Sequence, residues 1–376
     1  MLTAQDWKTL PIRCCGLMSV FIFAMMATAG EPVTLPQPEP GEAPQQPQVA
    51  VAGPQDIYIA FGAGKCVYCV ASQDGGKRFG KPVRVATLSS LMLGSRRGPR
   101  VAVAGESVAI TAIGERGELL AWRSNDHGQT WHGPVTINDV PKAAREGLHA
   151  LAAGPNGELY CVWLDLRNDS SEVFGSRSDD GGRTWSKNQL IYRSPDGNVC
   201  ECCHPSVTFD AQGNLYVMWR NWLDGNRDLF LSTSKDDGRT FSEPRRLGQG
   251  HWKIDHCPMD GGAVAVGKRG EVATVCRREK DIVATLPDQK KEVRLGRGEQ
   301  PWIAANAQGA WITWISRDGG DLSLQRPNQK RPEIIARHAN DPVVSAPLKG
   351  HGPVVLVWEE GQRQQKRIRV QVVSAK

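Results

Sequence analysis

Long apolar runs are nearly absent from this 376-residue chain; the one that stands out covers residues 14–29, and mean hydropathy is −0.39. That excludes a polytopic membrane protein. A dominant charge is lacking as well. Forty-six basic residues face 40 acidic ones, and the resulting +6 is spread too evenly to mark a nucleic-acid surface. Tyrosine is scarce, with five copies. With 40% hydrophobic and 23% charged residues, the composition is not that of a disordered chain. Glycine (40), proline (24) and tryptophan (12) are plentiful, and helix breakers at this density favour a turn-rich, all-β protein. The length suits two or three average domains or one large repeat array.

The N-terminus has the order of an export signal. Lys8 and Arg13 precede the apolar run, and Ala27-Thr28-Ala29 supplies a small-x-small cleavage site. The run is short for an anchor and has no charged stop beyond it. No cysteine follows it directly, which argues against a lipoprotein. Residues 1–29 are therefore expected to be a signal peptide, with the mature protein secreted or periplasmic and no stable membrane insertion after cleavage. Cleavage lowers the formal charge to +5 and leaves eight of the ten cysteines, in a compartment where cysteines pair or bind metal. Residues 30–46 form a Pro-rich segment, and residues 47–376 are expected to be one repeat domain.

The repeats are explicit. Residues 124–131, 178–185 and 234–241 share Ser-x-Asp-x-Gly-x-Thr-aromatic; residues 72–79 are a fourth copy with Arg78 in place of Thr, and Ser316-Arg317-Asp318-Gly319-Gly320 reads as a decayed fifth. The first four begin 52, 54 and 56 residues apart, a period that means a repeat architecture. Asp and Gly make a tight turn, Ser and Thr bond its backbone, and the aromatic ring packs beneath. A second count agrees. Pro47-Gln48-Val49-Ala50-Val51-Ala52-Gly53 nearly duplicates Pro99-Arg100-Val101-Ala102-Val103-Ala104-Gly105, and an apolar second strand follows at 57–61, 108–113, 159–163, 215–219, 272–276, 310–315 and 354–358.

These motifs resemble those of the Asp-box (BNR-repeat) proteins, the sialidase-like β-propellers, over nearly all of the mature chain. The resemblance implies four-stranded antiparallel blades with the Asp box between the third and fourth strands. Seven blades are expected, with six as the alternative. The last unit has room for three strands, so Pro32-Val33-Thr34-Leu35 is expected to return and close the ring, removing a sheet edge.

Because strands alternate in direction, the inter-blade links and the second-to-third loops share the face opposite the Asp boxes. Propellers usually bind ligands on such a face, around the central channel. Those loops are the least repetitive in the chain. For a sialidase-like glycosidase acting on a glycan or another small anionic ligand, Arg97, Arg100, Arg145 and Arg220 are candidates to clamp a carboxylate, and Glu146 and Asp165 are candidate acid/base groups. His149, Arg167, Asn221, Trp222, Arg227 and Asp260 are candidate substrate contacts, and Trp252 shares Trp222's potential for stacking on sugars. The chain departs from the catalytic family in two respects. The early Arg-(Ile/Leu)-Pro motif is missing, and Tyr192 is the sole tyrosine near a mouth loop. A non-catalytic binding propeller is the alternative.

Cys200, Cys202, Cys203 and His204 crowd one link, and His256 and Cys257 lie on the next. Disulfides are the default, for example Cys257 with one of the three, and no cofactor is then needed. Thiolates and imidazoles would otherwise select Cu or Zn, and Cys200-Glu201-Cys202-Cys203-His204 formally satisfies the c-type haem pattern. Cys66 and Cys69 lie on opposite faces of a strand, and Cys161 and Cys276 belong to the core.

Overall fold

The computed structural model describes residues 30–38, 42–267, 269–289, 291–347, 352–362 and 365–374; the expected signal peptide lies outside them. The described residues form 27 strands and no α-helix. Hydrogen bonding joins the strands into five four-stranded sheets and one seven-stranded sheet. The larger sheet holds two blades that share a strand. Glu333–Ser345 pairs through its first half with Gly320–Gln325 and through its second half with Val354–Glu360. The architecture is thus an all-β, seven-bladed propeller.

Its innermost strands are Pro44–Ala52, Arg100–Ala104, His149–Ala153, Ser206–Phe209, Ala263–Val266, Glu299–Asn306 and the second half of Glu333–Ser345, and each touches the next around a closed ring. Alanine and valine dominate several of them, as in Arg100-Val101-Ala102-Val103-Ala104, because strands converging on an axis leave room for small side chains only. The second strands lie between neighbouring blades and carry the bulk. Trp163, Trp219 and Trp358 are fully buried there. Apolar clusters fill all seven junctions; Ile57, Ile59 and Phe61 of the first blade pack on Val355 and Val357 of the last. Outer strands such as His132–Thr136 face solvent.

Val33–Thr34 pairs antiparallel with Arg367–Ser374, Val33 opposite Val370 and Thr34 opposite Arg369, so the N-terminal segment supplies the last blade's fourth strand. Ring closure by chain ends covers the edge that three strands would leave exposed.

Four Asp boxes occupy third-to-fourth turns. Ser124 Oγ donates to Asp126 Oδ1 (2.7 Å) and accepts from Gly128 N (2.9 Å), while Thr130 donates to Asp126 from both its amide (2.9 Å) and its hydroxyl (2.5 Å). Ser178/Asp180/Thr184 and Ser234/Asp236/Thr240 repeat the pattern. In the first copy Arg78 takes over the threonine's work, donating to Asp74 from its amide and Nε, both at 2.9 Å. The expected fifth box is a correction. Ser316-Arg317-Asp318-Gly319-Gly320 connects the second and third strands of its blade, Gly309–Ile315 and Gly320–Gln325, and Ser316 Oγ accepts from Asp321 N. It is a turn on the opposite face.

Candidate functional site

The inter-blade links enter the innermost strands from the mouth face, so the first residues of those strands ring the axis there. Three buried arginines dominate this ring. Arg96 donates to Gln300 O (2.8 Å) and Pro342 O (3.2 Å), with Nε 3.5 Å from Asp341 Oδ1 and the guanidinium over Trp302. Arg100 donates to the carbonyls of Arg96, Gly98, Pro99 and His149, and burial, with Arg96 nearby, pulls its pKa down to about 9. Arg220 donates to the carbonyls of Asp260 (3.0 Å), Arg227 (2.6 Å) and Arg277 (3.1 Å). A guanidinium carries five donors in a fixed fork, which suits it to stitch irregular backbone that no sheet satisfies. Asp260 Oδ2 and Gln300 Oε1 continue the network by accepting from Gln300 N and Asp341 N, and Glu359 accepts from Gln46 N (2.6 Å).

This arrangement redistributes the candidate residues. Arg100 and Arg220 are spent on carbonyls, away from any open surface. Asp165 is buried and saturated: Trp163 Nε1 (2.7 Å), Arg167 N (2.9 Å) and Arg167 Nε and Nη2 all donate to it. Arg167 also reaches Asp139 and Asn188 and lies over the Phe174 ring, so the pair braces a loop. His149 is buried with Nε2 3.0 Å from Thr111 Oγ1, and desolvation holds it neutral. Asn221 is buried and donates to the Tyr192 hydroxyl. Trp252 is buried beneath Arg220 and Arg277, not open for stacking, whereas Trp222 is exposed with the Arg227 guanidinium 4.4 Å above its ring.

Arg97, Arg145 and Glu146 stay at the surface. Arg97 Nε donates to Glu146 O at 2.7 Å. Glu146 is half-buried, and its carboxyl is pushed above the usual range by desolvation first and then by the Glu201 carboxylate; Arg97 and Arg145 oppose the shift. Arg97, Arg145, Glu146 and Glu201, from three successive inter-blade links, thus lie near enough for their charges to act on the Glu146 carboxyl. Glu201 was missed from sequence because the cysteines on either side dominate its segment. Arg96 shares the mouth-face link of Arg97 without being set apart from it, and Gln300, Asp341 and Glu359 carry no local signal.

The cysteine links also meet. Cys202 and Cys257 form a disulfide with Cα atoms 6.1 Å apart, tying successive links together. Cys200 and Cys203 remain as buried thiols, Sγ to Sγ 3.2 Å, and lie 3.7 and 3.9 Å from Cys202 Sγ. Cys200, Cys202 and Cys203 place three sulfurs within 4.8 Å of one another, a set that would serve Cu or Zn only with the Cys202–Cys257 bond reduced. His256 projects into solvent against Asp255, and His204 is buried with its ring stacked on Trp302 at 5.6 Å. With Cys200, Cys203 and His204 all buried, no open face remains between them for a porphyrin, and the haem pattern does not fit. Cys66 and Cys69 pack into different inter-blade clusters, as their strand spacing requires.

A family model for a BNR repeat-like domain matches residues 111–281. No curated protein matches the sequence. Among solved structures, a protein of unknown function from Dyadobacter fermentans is similar at 16% identity and a TM-score of 0.54, covering 92% of this chain and 99% of that one. An α-L-arabinanase from Penicillium chrysogenum, complexed with arabinobiose, is similar at 12% identity and a TM-score of 0.54, covering 93% and 99%. The polysaccharide lyase Uly1 is similar at 8% identity and a TM-score of 0.58, covering 91% and 92%. At these identities the likeness is one of fold.

Proposed function

From the Asp boxes, the propeller and the BNR repeat-like match at residues 111–281, we propose that the chain is a sialidase-like, exported protein that binds and hydrolyses an anionic glycan at its mouth face. The supporting observation is that Glu146 feels the charges of Glu201, Arg97 and Arg145, with Arg97 bonded to the Glu146 carbonyl. A carboxyl whose pKa is raised above its ordinary range keeps its proton to higher pH, which suits it to donate to a glycosidic oxygen. Flanking guanidinium groups suit a substrate carboxylate or sulfate. Export is supported by the N-terminal pattern and by the disulfide, which persists in an oxidising compartment.

The test is a hydrolysis and binding screen against sialylated, uronate-containing and sulfated oligosaccharides. In wild type, kcat/KM should fall as pH rises through the raised Glu146 pKa, because the proton donor is then lost. Glu146→Gln should cost about a hundredfold or more in kcat and remove that alkaline limb. Unchanged turnover in Glu146→Gln would sink the assignment. A binding propeller without turnover is the second reading. It is favoured by the state of Tyr192, whose hydroxyl is engaged by Asn221 and whose ring packs at a tilt on Trp219, so among the described residues no free tyrosine nucleophile stands at the mouth.

A further inference from the structure

We propose that Cys200, Cys203 and the Cys202–Cys257 disulfide form one thiol–disulfide exchange centre whose outside partner is an anionic low-molecular-weight disulfide. The geometry has three parts. First, the free pair is in contact with the disulfide: Cys200 Sγ is 3.7 Å from Cys202 Sγ, and Cys203 Sγ is 3.2 Å from Cys200 Sγ. Second, Arg227 Nη1 donates to Cys200 Sγ at 3.1 Å, the contact a thiolate would make. The hydrogen bond from the Cys203 thiol, with the charges of Arg220 and Arg227, lowers Cys200 to about 6, whereas burial raises Cys203. Third, burial is graded. Cys200, Cys202 and Cys203 are enclosed, while Cys257 is exposed beside an open groove of about 970 Å³. Lys253, Arg277, Lys280, Arg294 and Arg297 line that groove against Asp255, Glu279 and Asp281; Arg294 is paired with Asp281 and Arg277 with Glu299, and the remaining excess of positive charge favours a small anion.

The chemistry balances without further reactants. The Cys200 thiolate attacks Cys202 Sγ; a Cys200–Cys202 bond forms and Cys257 leaves as a thiolate into the groove. Cys203 then loses its proton and attacks Cys200 Sγ, forming a Cys200–Cys203 disulfide and freeing Cys202. Exposed Cys257 attacks the small disulfide and releases one thiol. Cys202 displaces the second and restores the Cys202–Cys257 bond. The net change is oxidation of the Cys200/Cys203 dithiol to a disulfide and reduction of one small disulfide to two thiols.

The experiment equilibrates the folded protein in mixtures of reduced and oxidised glutathione, quenches with acid, alkylates free thiols and maps linkages by peptide mass spectrometry. Wild type in its one-disulfide state should show both Cys202–Cys257 and Cys200–Cys203 linkages, and excess oxidised glutathione should close both at once. Cys200→Ser should freeze the Cys202–Cys257 bond in place. Cys203→Ser should instead stop at a Cys200–Cys202 linkage with Cys257 free or glutathionylated, and circular dichroism should report each variant folded. Arg227→Gln should slow exchange by about tenfold. The proposal is overturned if Cys200 and Cys203 remain thiols in excess oxidised glutathione while Cys202–Cys257 stays intact. It is equally overturned if the folded protein holds stoichiometric zinc on reduced sulfurs. None of these readouts depends on glycan turnover.

Discussion

On the Asp-box face, Ser124 and Thr130 both bond Asp126 within seven residues of chain, and the same bonds recur in two further boxes. On the mouth face, partners are drawn from far away: Arg96 reaches Pro342, and Gln46 N reaches Glu359. Buried atoms there also lack protein hydrogen-bond partners, among them His149 Nδ1, both His204 nitrogens, Asn221 Oδ1 and Asp260 Oδ1. One face is a repeated local turn that closes on itself. The other is a long-range polar assembly with unused capacity. Buried polar groups left unpaired cost stability; the Asp-box side keeps some as well, Trp185 Nε1 and Glu158 Oε1 among them, but those of the mouth gather on converging links, which makes that face the better candidate for function.

Removing one guanidinium from each region separates these designs. Arg220→Ala at the mouth leaves three backbone carbonyls without their donor and should cost about 3–5 kcal/mol by denaturant unfolding. A loss below about 1 kcal/mol would show that the carbonyls find other partners and that the mouth network is not long-range. Arg78→Thr in the first Asp box restores the motif's usual residue, whose hydroxyl and amide can make the same two bonds to Asp74. It should therefore change stability by no more than about 0.5 kcal/mol.

Acid separates the faces in between. Hydrogen bonds hold Asp74 down at about 2, its largest cause being the Arg78 amide, and Asp236 at about 2, its largest cause being the Thr240 hydroxyl. Their folded pKa values lie below the unfolded one, so their contribution is present above about pH 4 and is lost as pH falls toward 2. Unfolding followed from pH 5 to pH 2 should show an acid limb that shrinks in Asp236→Asn. An unchanged limb would place the acid sensitivity elsewhere.

The same contrast explains what could be read from the sequence. The boxes, the blade period and the closing strand were legible because each is a local pattern, or a repetition of one. Arg78 was visible as a deviation, and its compensating bond also spans four residues. Ser316-Arg317-Asp318-Gly319-Gly320 was misplaced because Ser, Asp and Gly specify a tight turn without specifying which strands it joins. The arginines of the mouth could be assigned to the right face, but their partners could not be foreseen. Arg100 and Arg220 satisfy carbonyls on neighbouring links, and Asp165 is held by a tryptophan and an arginine of its own loop. Trp252 resembled a loop aromatic open to ligand, yet arginines from two blades cover it. The cysteine links were expected to meet, and they do; which cysteine Cys257 pairs with depends on the packing of two links 55 residues apart.

The central claim is that ligand chemistry belongs to the mouth and structural repetition to the opposite face. Hydrogen exchange, measured with and without the anionic oligosaccharide that binds best in the screen, tests it most directly. The account predicts added protection in the links at residues 95–100, 144–149 and 199–204, with the Asp boxes at 124–131, 178–185 and 234–241 unchanged. Protection confined to the Asp boxes, with the links unchanged, would contradict it.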